Sequence, residues 1–211
     1  MIYLIGGPSR SGKTMLASMV AEKVGARILP MDFVEAAITE FYPTEKEKAM
    51  RPFSHMRNET NRDNAVLVQK YSAEQIVAAY VDQGRSTWES IKAMVNYGIS
   101  LRDNIVIEGY QITPNFLNEL LNEENSMSVR AVFLLKEDER SIVAGWEEGA
   151  PNNDWLLKDS NKETQKKYAH ITALHGKATR EDSEKFGFDY FNMDTDFSSQ
   201  LVNALACICK L

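Results

Sequence analysis

One run near the amino terminus restricts the folds open to this chain: Gly7-Pro8-Ser9-Arg10-Ser11-Gly12-Lys13-Thr14 fits the pattern G-x-x-x-x-G-K-[ST] at every required position. It follows Ile2-Tyr3-Leu4-Ile5, an apolar stretch of β type, and precedes a segment in which Leu16, Val20 and Val24 recur at helical spacing. Strand, glycine-bounded loop and helix in that order predict a phosphate-binding loop. Glycines let the backbone fold back so that successive N–H groups face one anion, and the following helix adds its positive end. In such a loop Lys13 supplies a point charge to the β and γ phosphates, and the Thr14 hydroxyl is placed to ligate Mg²⁺. A merely glycine-rich strand-to-helix turn leaves the Lys-Thr pair unexplained. The expected ligands are therefore ATP, held by Gly7, Pro8, Ser9, Arg10, Ser11, Gly12, Lys13 and Thr14, and Mg²⁺.

A chain of 211 residues is long enough for one α/β domain with insertions. Its formal charge of −6 argues against a general nucleic-acid or anionic-membrane binder, so any anionic ligand is met locally. Cys207 and Cys209 stand two apart, where a helix points them in different directions, and they read as reduced thiols. Met1 opens directly onto the first strand without a basic and then apolar leader, and no apolar run approaches membrane-spanning length. A cytoplasmic location is the expectation.

Strand-like segments alternate with helical ones, the pattern of a mainly parallel sheet covered on both faces. The five expected strands are Ile2 to Ile5, Ala26 to Pro30, Asn104 to Glu108, Val129 to Leu135 and Phe188 to Asn192. Thr113-Pro114 reads as a cap followed by a proline at the first helical position, and Phe116, Leu117, Leu120 and Leu121 form an apolar face. Phe197, Leu201, Leu205 and Ile208 form another. Two longer stretches interrupt the alternation: residues 43–101, mostly helical by pattern and carrying Arg51, Arg57, Arg62 and Arg85, and residues 136–185, where Gly, Pro and Asn between Gly145 and Trp155 mark a loop.

Two acids stand at strand ends. Asp32 follows the second strand, at the end of a parallel sheet where ligands bind, and a carboxylate there can orient or deprotonate an acceptor hydroxyl. Asp32-Phe33-Val34-Glu35 also reads as a capping box for the next helix. Glu108 closes Ile105-Val106-Ile107-Glu108; an acid at that position needs a reason to be buried, and beside a phosphate loop it can hold the water shell of Mg²⁺.

The opening Leu4 to Thr14 and the later Ile107-Glu108-Gly109-Tyr110-Gln111-Ile112-Thr113-Pro114 resemble the P-loop small-molecule kinases related to 2-phosphoglycerate kinase, within the wider nucleoside-monophosphate-kinase fold. The resemblance implies a three-layer α/β fold with a five-stranded, mainly parallel sheet, a helical acceptor-binding insertion at 43–101 and a lid and following helix at 136–185, all in one domain of 1–211. It implies that Gly7 to Thr14 bind the triphosphate, that Asp32 faces the acceptor and that Glu108 is the acid beside the metal. Adenylate-type kinases carry an Arg in the turn after the third strand; Glu108-Gly109-Tyr110-Gln111 lacks it, which weakens a nucleoside-monophosphate substrate.

Phosphoryl transfer spreads negative charge over the γ oxygens, so fixed cations from the lid are expected to lower the barrier. Arg140 is the first candidate, ahead of Lys158 and Arg180. If the first insertion folds over the crevice, Arg51, Arg57 and Arg62 would clamp a phosphate or carboxylate on the acceptor. His55, His170 and His175 read as structural or surface residues, and Trp146 and Trp155 as packing for the loop or a cover for a bound base or sugar. The expected activity is ATP- and Mg²⁺-dependent transfer of the γ-phosphoryl group to a small hydroxyl- or phosphate-bearing metabolite, with Lys13, Asp32 and Arg140 as catalytic groups. A nucleoside or nucleotide kinase and a nucleotide-binding switch are the alternatives.

Overall fold

The computed structural model describes residues 1–41, 50–149 and 161–210. Its sheet has five strands, β1 (Ile2–Gly6), β2 (Arg27–Pro30), β3 (Ile105–Glu108), β4 (Val129–Leu135) and β5 (Tyr190–Asn192), in the order β2-β3-β1-β4-β5 with every neighbouring pair parallel. All five stand where the sequence predicts them; the widest difference in a boundary is at β5, expected from Phe188 and observed from Tyr190.

Side chains alternate across a strand, and both faces of this sheet are buried. Ile2 and Leu4 of β1 enter one apolar layer, and Tyr3 and Ile5 enter the other. The first layer is closed by α6 (Trp88–Leu101), through Trp88, Ile91 and Val95, and by α7 (Pro114–Leu120), through Phe116, Leu117 and Leu120. Thr113 caps α7 as expected, its hydroxyl accepting from the Phe116 N–H at 3.1 Å. The second layer is closed by α1 (Lys13–Val24), through Leu16, Ala17 and Val20, and by α10 (Phe197–Cys209), through Leu201, Ala204 and Ile208. The result is the three-layer architecture that the alternation predicts.

The two insertions are less separate than the sequence implies. After α2 (Met31–Phe41), the first supplies α3 (Pro52–Glu59), α4 (Asn64–Lys70), α5 (Ala73–Arg85) and then α6, which covers the sheet. The second supplies α8 (Glu139–Gly149) and α9 (Lys162–Phe186); α9 is a central helix that packs on α5, α7, α8 and β4. A third apolar cluster joins them, with Leu67 and Val68 of α4, Ile76 of α5, Ile142 and Trp146 of α8, and Tyr168, Ala169, Ile171 and Ala173 of α9. The expected lid residues Pro151 to Trp155, together with Lys158, lie outside the described residues, as do residues 43–49 at the start of the first insertion. No described helix is long and apolar enough to cross a membrane.

Candidate active site

β1 ends at Gly6, and the chain turns at Gly7 with φ 129°, where a Cβ would stand 2.0 Å from the Leu134 carbonyl oxygen; only glycine fits. The loop then closes on the Pro8 carbonyl oxygen, which accepts from the Ser11 N–H at 3.4 Å, the Ser11 hydroxyl at 3.0 Å and Lys13 Nζ at 2.6 Å. Arg10 and Gly12 take left-handed conformations, and α1 begins at Lys13. Backbone of this kind presents successive N–H groups to a concave space, with the positive end of the helix behind them. Lys13 is 9 % exposed, and burial lowers the pKa of its ammonium, while the carboxylates of Glu108 and Asp32 pull the other way.

Strand register brings the acids to the same end. Ile5 pairs with Glu108 and Pro30 pairs with Glu108 on its other side, so the residues following β1, β2 and β3 emerge together. Glu108 is 7 % exposed and accepts from the Thr14 hydroxyl at 3.1 Å. A hydroxyl and a carboxylate so juxtaposed are hard oxygen donors of the kind Mg²⁺ takes when phosphate oxygens and water complete its shell. Among the described residues no group of three or more His, Cys, Asp or Glu is placed to hold a metal ion.

The loop is a wall shared by two cavities. One, of about 800 Å³, is lined by Arg10, Gly12, Lys13 and Thr14 and, opposite them, by Lys136, Trp146, Met193, Asp194 and Phe197. The other, of about 460 Å³, takes Ser9 from the loop, Asp32 and Glu35 from α2, Phe53 and Arg57 from α3, Arg62 from the turn between α3 and α4, Tyr80 and Gln83 from α5, and Tyr110. Both fall within the size range of small-molecule sites.

The structure separates the expected site residues. Lys13, Thr14 and Glu108 come together at the loop, and Asp32, Arg57 and Arg62 share the smaller cavity. Arg57 is also tied within the protein, where its guanidinium donates to Asn64 Oδ1 and hydrogen-bonds Tyr168. Arg51 does not reach the lining; it precedes α3 as its cap residue, is 7 % exposed, and its Nη1 has no hydrogen-bond partner among the described residues. Arg140 does not join the site either. It is exposed and lines a separate depression with Glu139, Val143 and Lys166, because the first turn of α8 points it away from the loop. Asp32 is not a cap: α2 starts at Met31, leaving Asp32 inside its first turn. Glu35 is bound instead by Gln83 Nε2, by the Tyr110 hydroxyl at 2.8 Å and by Gln111 Nε2 at 2.6 Å. Burial, and after it Glu35, raises the Tyr110 pKa, so the phenol remains a donor.

Sequence reasoning missed Lys136, the residue directly after β4, 7 % exposed and on the lining of the larger cavity. The argument that finds Glu108, a charge closing an apolar strand, applies equally to Leu134-Leu135-Lys136. His175 of α9, read from the sequence as a structural or surface residue, is buried beside Ser9, Arg10 and Trp146; burial, aided by the Lys13 charge, lowers its pKa to about 4. The side chain of Asp194, which follows β5, accepts the Glu137 and Asp138 N–H groups at 2.8 and 3.1 Å and so fixes the turn after β4.

No protein-family model matches the chain. A 2-phosphoglycerate kinase from Methanothermobacter thermautotrophicus is 24 % identical over 147 residues, which are 69 % of this chain and 45 % of that protein. The chain thus spans less than half the length of this curated relative. The crystal structure of a gluconokinase from Sinorhizobium meliloti superposes with a TM-score of 0.52 at 12 % identity, covering 99 % of this chain and 91 % of the other. With its sheet order and its loop, that likeness decides the fold. The chain has the P-loop kinase fold. A shikimate kinase from Bacteroides thetaiotaomicron is also similar, with a TM-score of 0.49 at 16 % identity over 100 % of this chain and 99 % of that one. Within the P-loop kinase fold the larger cavity lies on the α1 side of the loop and the smaller on the α2 side.

Proposed function

We propose that the protein is a phosphotransferase that moves the γ-phosphoryl group of ATP to a hydroxyl of a small metabolite. One observation carries the reading: a phosphate loop with a buried lysine and a Thr14–Glu108 oxygen pair forms the partition between two cavities, one of them lined by two carboxylates and two guanidinium groups. Hydrolysis or nucleotide sensing needs only the first cavity. Transfer needs both. The fold, and the 2-phosphoglycerate kinase to which the chain is similar, support the same class of reaction.

In this reading the triphosphate occupies the larger cavity, its β and γ oxygens against the loop N–H groups and Lys13. Thr14 and Glu108 would hold Mg²⁺, which when bound neutralises charge on the phosphate oxygens. The acceptor lies in the smaller cavity with its hydroxyl toward Asp32. The acceptor oxygen forms a bond to the γ phosphorus as the bond to the bridging β–γ oxygen breaks; ADP leaves with that electron pair, and Asp32 takes the hydroxyl proton. Lys13 stabilises the charge that develops on the leaving phosphate, acting with greater force because it is buried. Lys136, a buried ammonium on the same lining, is a better-placed second cation than Arg140.

The reading is tested by ADP release from Mg·ATP with a panel of acceptors comprising hydroxy acids, 2-phosphoglycerate, polyols, nucleosides and nucleotides. Acceptor-stimulated release is expected. Nucleotide binding with no stimulation by any small hydroxyl compound favours a switch and contradicts the proposal.

A further inference from the structure

We infer that the acceptor is a polyhydroxy monocarboxylate, bound with its carboxylate on Arg62 and a hydroxyl on Asp32; this rests on the kinase reading and narrows it. Four observations on the smaller cavity point there. The first is its charge. Asp32 and Glu35, one turn apart on α2, face Arg57 and Arg62 across about 460 Å³, so the formal charges of the lining cancel. Such a lining gives no net attraction to a multiply charged anion, and a phosphorylated acid, with two or three negative charges, would sit against two carboxylates, whereas a single carboxylate needs only one guanidinium to meet it.

The second is the state of the two ends. Among the described residues neither the Asp32 carboxylate nor the Arg62 guanidinium makes a hydrogen bond or an ion pair, whereas Glu35 is tied to Gln83, Tyr110 and Gln111 and Arg57 is tied to Asn64 and Tyr168. The tied pair sets the walls. The untied pair is exposed at the cavity and so is open to a ligand, and its guanidinium suits a carboxylate geometrically.

The third is backbone conformation. Asn61 and Arg62 lie consecutively in the left-handed region, at φ 50° and 59°, just before the Asp63 cap of α4. Asn tolerates that region; Arg does not favour it. A glycine would fit that conformation better, and what the arginine brings to the cavity in its place is its guanidinium.

The fourth disfavours a nucleobase. Gln83 is engaged at both ends of its amide, with Oε1 accepting the Ser54 N–H at 2.7 Å and Nε2 donating to Glu35 and to Tyr110. Phe53 and Tyr80 stack on each other with centroids 3.9 Å apart, which leaves no slot between them for a base.

The test compares kcat/KM for D-gluconate and D-glycerate with that for D-sorbitol (the neutral polyol), a phosphorylated hydroxy acid, and nucleosides, in the full chain and in Arg62→Gly. The expected result is a preference of at least tenfold for a monocarboxylate over sorbitol. Arg62→Gly should raise the monocarboxylate KM at least tenfold and the sorbitol KM less than twofold, with a melting temperature unchanged or raised because glycine relieves the left-handed backbone. A nucleoside or a phosphorylated acid as the preferred acceptor overturns the inference alone, as does a monocarboxylate KM within twofold of wild type in Arg62→Gly. ADP binding without turnover of any of these acceptors overturns it too. Failure to bind Mg·ADP removes the kinase reading, and the inference with it.

Discussion

Burying a carboxylate at the end of an apolar strand costs free energy unless donors or cations meet it. Glu108 is met by the Thr14 hydroxyl and, through space, by Lys13, which places it at the junction of loop and sheet. Glu108→Gln keeps the size and one acceptor but removes the charge. Activity is expected to fall on the order of 10²-fold at fixed Mg²⁺, with partial recovery as Mg²⁺ is raised; a titration of rate against Mg²⁺ that matches wild type would exclude a metal role. Glu108 and Lys13 were legible in the sequence because each stands at a position where only chemistry accounts for the residue type. Lys136 was equally legible, but arginines farther along the lid drew the expectation to Arg140, and the turn fixed by Asp194 is a tertiary contact between segments about 60 residues apart that no local pattern announces. Glu35 was misread as part of a cap for the same reason: its partners are supplied by α5 and by the turn after β3.

Helix α9 shows where element-level reading stops. Its neighbours in the sheet were found from their apolar runs, but the buried side of α9 consists largely of Thr164, Tyr168, Ala169, Thr172, Ala173, His175, Gly176, Thr179 and Ser183, so hydrophobic periodicity hardly marks it. Small residues serve because the helix lies close to the end of β4: a Cβ at Gly176 would stand 2.1 Å from the Lys136 carbonyl oxygen. Gly176→Ala should therefore move α9 off the strand end and destabilise the protein by about 1–3 kcal/mol, despite the better helix propensity of alanine; denaturant midpoints check this. His175, on the same face, is held neutral. Its folded pKa of about 4 lies below the usual value of 6.5, so the unfolded chain binds the proton first as pH falls. Its contribution is whole above about pH 6.5, declines between there and pH 4, and amounts to roughly 3 kcal/mol when lost. Unfolding free energies at pH 7.5 and 4.5 should differ by less in His175→Phe than in wild type; an equal difference would show that His175 does not titrate in this range.

At the scale of the molecule, the sheet supplies a rigid edge from which the loop, Asp32, Glu108 and Lys136 all emerge, and the helices of both insertions share one apolar cluster beside it. That shared cluster was not visible in the sequence, where the two insertions read as an acceptor cap and a lid with no reason to touch. It makes the wall of the smaller cavity continuous with the helix that carries Trp146 on the lining of the larger one. The sequence does set the sheet and the phosphate loop; tertiary packing, which mixes segments far apart in the chain, sets the cavities. The central claim is that Gly7 to Thr14 form the donor half of a two-cavity transfer site. It is tested most directly by acceptor-dependent ADP release from Mg·ATP in wild type and in Lys13→Ala, with circular-dichroism melts of both. The account predicts release in wild type and a fall of about 10²- to 10³-fold in a folded Lys13→Ala protein. Full acceptor-dependent release by Lys13→Ala would contradict it.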